Sequence, residues 1–249
     1  MSGVGDGFDV RSLALSFHGG ARLGRHAHPW GQLVYSAAGV IRVITDEAAW
    51  LAPPTRAIWL PPHTAHQLVM LGEVALRTLY IAPERAAPLP ADLRVVEVAP
   101  LLRELILHIL KAGMLAPGVT EHDRLAGLLV DLLLQAPPLD LALPLPHDPR
   151  ARLAAERLQA NPEYRGELAA LARASGASLR TLQRLFRGET GLTLEAFRQK
   201  ARLIAAAASL SAGAAVTTTA LDCGYDSPSA FIAAFKKQFG VTPGRFADG

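Results

Sequence analysis

The stretch SLRTLQRLFRGETGLT, Ser178 to Thr193, returns 49 residues later as SPSAFIAAFKKQFGVT, Ser227 to Thr242. Each copy opens with Ser, a residue suited to a helix N-cap. Apolar residues follow at i+4 and i+8: Leu182 and Phe186 in one, Phe231 and Phe235 in the other. A basic residue, Arg187 or Lys236, adjoins the second of these, and Gly191 or Gly240 then stops the helix. A shorter helix precedes each copy. Glu167–Ala174 (ELAALARA) runs into Ser175-Gly176, and Thr217–Cys223 (TTTALDC) runs into Gly224. Helix, tight glycine turn, second helix is the helix-turn-helix pattern, present here twice.

In that motif the first helix packs on the inner face of the second, whose outer face is left free to enter a major groove. In the first copy Leu182, Leu185 and Phe186 point inward, which leaves Arg180, Thr181, Gln183, Arg184 and Arg187 on the remaining surface. Arg pairs bidentately with guanine and Gln with adenine, so this face has base-reading chemistry. In the second copy Phe231, Phe235 and Phe239 form the inner stripe, and Ser229, Ala230, Ala233, Lys236 and Lys237 face outward. That face is poor in long polar groups, so it is expected to supply phosphate contacts and shape fit more than base reading. Between the copies, LEAFRQKARLIAAAASLS predicts one long helix from Leu194 to about Ser211. A strut of that length sets two probes near one DNA turn apart.

Composition agrees with such a partner. Of 249 residues half are hydrophobic, enough for a sizeable core. The net charge of +3 is unevenly spread: residues 150–249 carry +6 and residues 1–149 carry −3. A basic C-terminal part on a mildly acidic N-terminal part points to a polyanion at one end only. The single Cys223 excludes a disulfide framework and a cysteine zinc site. The opening MSGVGDGFDV lacks the basic and apolar regions of a signal peptide. The uncharged run Leu203–Leu221 is rich in Ala, Ser and Thr and is broken by Gly213, so it reads as two soluble helices rather than a membrane span. The expected location is the cytoplasm, with no membrane partner.

The N-terminal half reads differently. LALSF, GQLVYSA, GVIRVIT, RAIWLP and QLVML are short runs between Gly, Pro and Asp, as in a small antiparallel barrel or sandwich. PERAAPLP, Pro83–Pro90, is a Pro-rich break. From Pro100 the period becomes helical, with Leu101, Leu102, Leu105, Ile106 and Ile109 on one broad face and Gly113 as C-cap. A second helix starts with Thr120 as N-cap and Asp123 at the third helical position. These helices either cover the barrel or offer a homodimer contact. The fold class is therefore α+β. Residues 1–99 form a sensor barrel, 100–135 a helical pair, 136–149 a Pro-rich linker and 150–249 an all-α domain.

ASLRTLQRLFRGETGLT, the Arg198–Arg202 stretch and CGYDSPSAFIAAFKKQFGVTPGRF resemble the AraC/XylS transcription regulators over about Arg150 to Phe246. The resemblance implies seven helices with two helix-turn-helix units. It implies base contacts from Arg180, Thr181, Gln183 and Arg184, with Ser229, Ala230 and Ala233 at the reading positions of the second unit. Ala233 stands where members often carry Arg.

Gly20-x5-His26-x-His28-x3-Gln32-x6-Gly39 resembles the first motif of the cupin barrels, with Gln32 where an acidic ligand often sits. Pro61-x-His63-xx-His66 resembles the second, with His63 replacing its usual Gly. The resemblance implies that His26, His28, Gln32 and His66 surround one pocket in a cupin-like barrel. His26 and His28, at i and i+2 on a strand, point the same way. A third His completes a facial set for Zn, Ni or Fe(II). The alternatives are an organic effector in the same pocket and a mainly structural barrel. Trp30, Tyr35 and Trp59 are pocket or core aromatics.

Together these features predict a one-component transcription regulator. Its partners are double-stranded promoter DNA, a small-molecule or metal effector, a second copy of the chain and, as a further candidate, RNA polymerase. The alternative is a cupin-type metal-dependent enzyme with an accessory DNA-binding domain. Against it, Gln32 replaces a charged ligand, and the chain lacks a phosphate-cradling Gly loop, G-x-S-x-G and H-E-x-x-H.

Overall fold

A computed structural model describes residues 7–18, 20–139 and 142–247. Part of the N-terminal stretch read for a signal peptide and part of the Pro-rich linker lie outside the described residues. The chain divides into two compact units, Met1–Thr45 with Trp50–Asp140, and Asp46–Ala49 with Leu141–Gly249.

The first unit holds two antiparallel sheets. One contains β1 (Val10–Phe17), β3 (Gly31–Ser36), β6 (Arg56–Leu60), β8 (Val74–Ile81), β9 (Arg94–Glu97) and β10 (Pro138–Leu139), in the order β1-β8-β3-β6-β9-β10. The other includes β2 (Arg22–His26), β4 (Val40–Ile44), β5 (Ala48–Ala52, of which residues 50–52 belong to this unit) and β7 (His66–Leu71), in the order β5-β4-β7-β2. β3 is buried along its whole length, and β8 alternates for most of its length between buried and half-buried residues. Gly31 opens β3 because a Cβ there would lie 2.2 Å from the Trp59 ring.

The Pro-rich break is not all loop: Pro83–Ala86 forms a short helix, α1, with Pro at its first turn, where a missing N–H costs nothing. α2 (Pro100–Ala112) ends on Gly113 at φ 95°, as expected. α3 (Thr120–Gln135) departs from expectation. Val119 occupies the N-cap position and no side chain caps the helix. Asp123 instead pairs with Arg85 at 2.5 Å, an ion pair that links α3 to α1. Leu102, Leu105, Ile106 and Ile109 of α2 and Ala126, Leu129 and Leu133 of α3 share one core with Leu33, Tyr35, Trp59 and Leu79 of the first sheet. The apolar faces of these helices therefore cover the sheet, while Leu101, Leu128 and Leu134 remain exposed.

The second unit is built on helices α4 (Pro149–Ala160), α5 (Leu168–Ala174), α6 (Leu179–Thr190), α7 (Leu194–Ser211), α8 (Val216–Asp222), α9 (Pro228–Phe239) and α10 (Pro243–Ala247). Asp148 caps α4 by accepting from the Arg150 N–H. α7, of 18 residues, packs against α4, α6, α8, α9 and α10. At 1.5 Å per residue it is about 27 Å long. Phe186 meets Phe197 of α7 edge-on at 5.0 Å, and Phe235 meets Phe246 of α10 at 5.2 Å.

His63, in the turn between β6 and β7, has φ 62°, the left-handed region. Its N–H donates to His28 O at 2.8 Å. A side chain in that conformation costs about 1–2 kcal/mol, and glycine returns part of the gain as unfolded-state entropy. His63→Gly should therefore stabilise the protein by about 0.5–1 kcal/mol, read as a raised midpoint in thermal melting; a lowered midpoint contradicts the strain.

Candidate sensor pocket and nucleic-acid interface

β2 and β7 pair so that His26 stands opposite His66. His28 follows in the loop after β2, and the three rings gather with centroids 4.4 Å apart for His26 and His66, 5.3 Å for His28 and His66 and 5.8 Å for His26 and His28. One ring nitrogen from each lies within 4.8 Å of the others. His26 is exposed, His28 half-buried and His66 buried.

Backbone carbonyls decide the tautomers. His26 Nδ1 lies 2.8 Å from Gly24 O, His28 Nδ1 2.8 Å from Trp30 O and His66 Nδ1 2.8 Å from Thr64 O. A carbonyl only accepts, so each Nδ1 donates and each Nε2 is left for another partner. His66 Nε2 is buried and has no hydrogen-bond partner among the described residues. Burial pushes the His66 pKa down to about 4, with smaller contributions from His26 and His28, so its ring is neutral near pH 7.

Gln32, buried at the start of β3, joins this group. Thr78 Oγ1 donates its one proton to Leu33 O at 3.0 Å and so must accept from Gln32 Nε2 at 2.9 Å. That orients the amide and turns Gln32 Oε1 toward His28 Nε2, 3.1 Å away. The two atoms meet through a proton on the imidazole or through a shared cation. The donor set, three imidazoles and one amide oxygen, suits a borderline metal such as zinc. Bond lengths of about 2.0–2.1 Å put tetrahedral ligands roughly 3.3 Å apart, so the nitrogens, now within 4.8 Å of one another, must close by up to about 1.5 Å.

Arg11, His26, Ala27, His28, Trp30 and Tyr80 line a cavity of about 170 Å³ beside the trio. The Arg11 guanidinium lies 4.4 Å from the Trp30 ring centre, and Tyr80 meets His28 edge-on at 5.2 Å. Trp30 thus belongs to the pocket. Tyr35 and Trp59 belong to the core, with Trp59 Nε1 donating to Pro90 O at 2.8 Å.

The two turn units of the helical unit match in detail. Ser178 Oγ accepts from Thr181 N at 3.1 Å, and Ser227 Oγ accepts from Ala230 N at 3.3 Å. α6 ends on Gly191 at φ 70° and α9 on Gly240 at φ 76°. Gly176 and Gly224 make the turns at φ 74° and φ 79°. The second turn is one residue longer, because α8 ends in Cys223-Gly224-Tyr225-Asp226 before Ser227 while α5 ends in Ser175-Gly176-Ala177 before Ser178.

On α6, Arg180, Gln183, Arg184 and Arg187 are exposed; Thr181 is half-buried, its hydroxyl 2.9 Å from Ser178 Oγ. Arg187 reaches back to Gly191 O at 3.3 Å. On α9, Ser229, Ala230, Ala233, Lys236 and Lys237 are exposed, and so is Ile232, which sequence reasoning missed. Arg202 of α7 was also not singled out. It is buried and donates to Pro162 O at 3.2 Å and Tyr164 O at 2.8 Å, tying the segment before α5 to α7.

Residues 11–162 match the family described as AraC-like ligand binding domain, and residues 171–249 match a helix-turn-helix domain. The chain belongs to the AraC family of transcriptional regulators. It combines an N-terminal ligand-binding domain with a C-terminal DNA-binding domain. The HTH-type transcriptional regulator NimR of Escherichia coli is 35% identical over 221 residues, 89% of this chain and 81% of NimR. RipA of Corynebacterium glutamicum, another HTH-type transcriptional regulator, is 34% identical over 106 residues, 43% of this chain and 32% of RipA. Among solved structures, ToxT from Vibrio cholerae aligns at a TM-score of 0.41 and 11% identity, covering 96% of this chain and 97% of ToxT. The ligand-binding match runs to residue 162 and so takes in α4. No helix among the described residues is long and apolar enough to cross a membrane.

The hydrogen-bond chain through Gln32 has a direct test. Thr78→Val keeps the shape but leaves the buried Gln32 amide N–H without its acceptor, at a cost of about 1–3 kcal/mol. Urea denaturation should show that loss, whereas an unchanged midpoint contradicts the assigned orientation.

Proposed function

We propose that this AraC-family chain is a one-component, non-enzymatic regulator whose effector is a divalent transition metal held by His26, His28 and His66, with Gln32 as a fourth, oxygen donor. The observation that carries the reading is the common tautomer: three Nδ1 atoms donate to backbone carbonyls, and the nitrogen left over on the buried His66 has no other partner among the described residues. A bound metal would draw the three strands and loops together and so favour one arrangement of the site. The cavity carrying Arg11, Trp30 and Tyr80 favours a second reading, an organic effector in the same pocket. The exposed Leu128 and Leu134 of α3 support self-association of two chains in the cytoplasm, and RNA polymerase is a candidate contact for the DNA-bound protein.

Isothermal titration of chelator-treated full-length protein with Zn²⁺ checks the metal. About one ion per chain should bind, and His26→Ala/His28→Ala should abolish it. Undiminished binding by that variant contradicts the ligand set.

On the DNA side, α6 reads base edges through Arg180, Gln183 and Arg184, with Thr181 and Arg187 in support, and α9 docks in the neighbouring groove with Lys236 and Lys237 on phosphates. Gln183→Ala/Arg184→Ala should weaken binding of the full-length protein to its preferred duplex by about 1–3 kcal/mol per lost bidentate pair. It should also relax sequence preference, as measured by fluorescence anisotropy. Unchanged occupancy contradicts the placement of α6.

A further inference from the structure

The exposed face of α9 has a composition that phosphate contact does not explain. Its outward residues are Ser229, Ala230, Ile232, Ala233, Lys236 and Lys237. Both lysines lie in the last turn. The first two turns, which in a recognition helix meet base edges, present only one hydroxyl and otherwise alkyl groups. Ile232 lies in mid-helix with 37% of its surface exposed, outside the Phe231–Phe235–Phe239 stripe that packs inward. No side chain in these turns is long enough to make the bidentate pairings by which Arg, Asn or Gln read guanine and adenine. The one feature of the major groove that an alkyl group recognises is the thymine C5-methyl. Short side chains also let the helix axis sit closer to the base edges.

We propose that α9 reads thymine methyl groups through Ala233 on its outward face, flanked by Ala230 on one side and Ile232 on the other, so that the operator pairs a polar-read half under α6 with a thymine-bearing half under α9. This rests on the placement of α9 in a major groove given above. Lys236 and Lys237 hold the helix on the flanking phosphates, and the alkyl groups supply its sequence preference.

Duplexes selected from a random-sequence library by the full-length protein provide the probe. In the preferred duplex each thymine is replaced singly by deoxyuridine, which removes only the methyl group. At one or two positions affinity should fall about fourfold, the value of one buried carbon. That penalty should disappear when the protein carries Ile232→Ala or Ala233→Ser, while substitutions under α6 should keep it. Lys236→Ala/Lys237→Ala should weaken binding at every sequence and lower the salt slope by about two. If the lysine variant weakens binding and no deoxyuridine position does, α9 docks but does not read methyls, and the proposal is overturned. A deoxyuridine penalty that persists in the Ile232 and Ala233 variants also overturns it, because the methyls are then read elsewhere. If the lysine variant binds like the parent, α9 is off the DNA and the groove placement fails with the proposal.

Discussion

A twelve-residue helix exposes two broad faces, and here burial claims one of them. Leu182, Leu185 and Phe186 of α6, and Phe231, Phe235 and Phe239 of α9, are each less than a tenth exposed. Burying each side chain is worth about 1.5–3 kcal/mol. α7 receives both helices, and Phe197 and Phe246 complete the aromatic packing. Once those stripes are turned inward, the identity of the outward-facing residues follows from helical geometry alone. The N-caps Ser178 and Ser227 and the left-handed Gly191 and Gly240 fix where each helix starts and stops. Arg202 fastens the segment preceding α5 to α7 by two backbone carbonyls, so the turn units hang from one rigid strut.

A similar economy operates in the sensor unit, where backbone carbonyls, not side chains, orient the histidines. Gly24, Trp30 and Thr64 each accept from one imidazole, and one ring nitrogen of each histidine lies within 4.8 Å of the others. Gln32 is aimed at the same centre by Thr78, which in turn is held by Leu33. Every link of that chain is a donor meeting an acceptor until His28 Nε2 and Gln32 Oε1 face each other. There a proton on the imidazole or a shared cation must join the two atoms. The strained His63 belongs to the same assembly, since its N–H holds His28 O.

The helical half was largely readable from the sequence because its determinants are local. A cap, an apolar spacing and a stop glycine lie within sixteen residues of each other, and helix faces follow from period. Histidine spacing likewise revealed His26, His28 and His66, although their convergence depends on the non-local pairing of β2 with β7. What escaped were partners far apart in the chain. Thr78 lies 46 residues from Gln32, and nothing in ALRTLYI marks its threonine as the residue that turns an amide. Arg85 bonds both Asp9 and Asp123, and α3 starts with Val119 as N-cap, one residue earlier than expected, which takes Asp123 out of the capping position. His63 stands where the motif usually has Gly, and the backbone shows that it keeps the glycine-like left-handed conformation. Exposed Ile232 was missed because an apolar residue beside an inner stripe is ordinarily taken as core.

The proposed DNA complex sets two recognition helices, held by one strut, against adjacent grooves. Hydroxyl-radical footprinting of the full-length protein on its preferred duplex tests this most directly. Two protected patches about one helical turn apart on a single face of the DNA are predicted for each bound chain. A single patch, or patches on opposite faces, would contradict it.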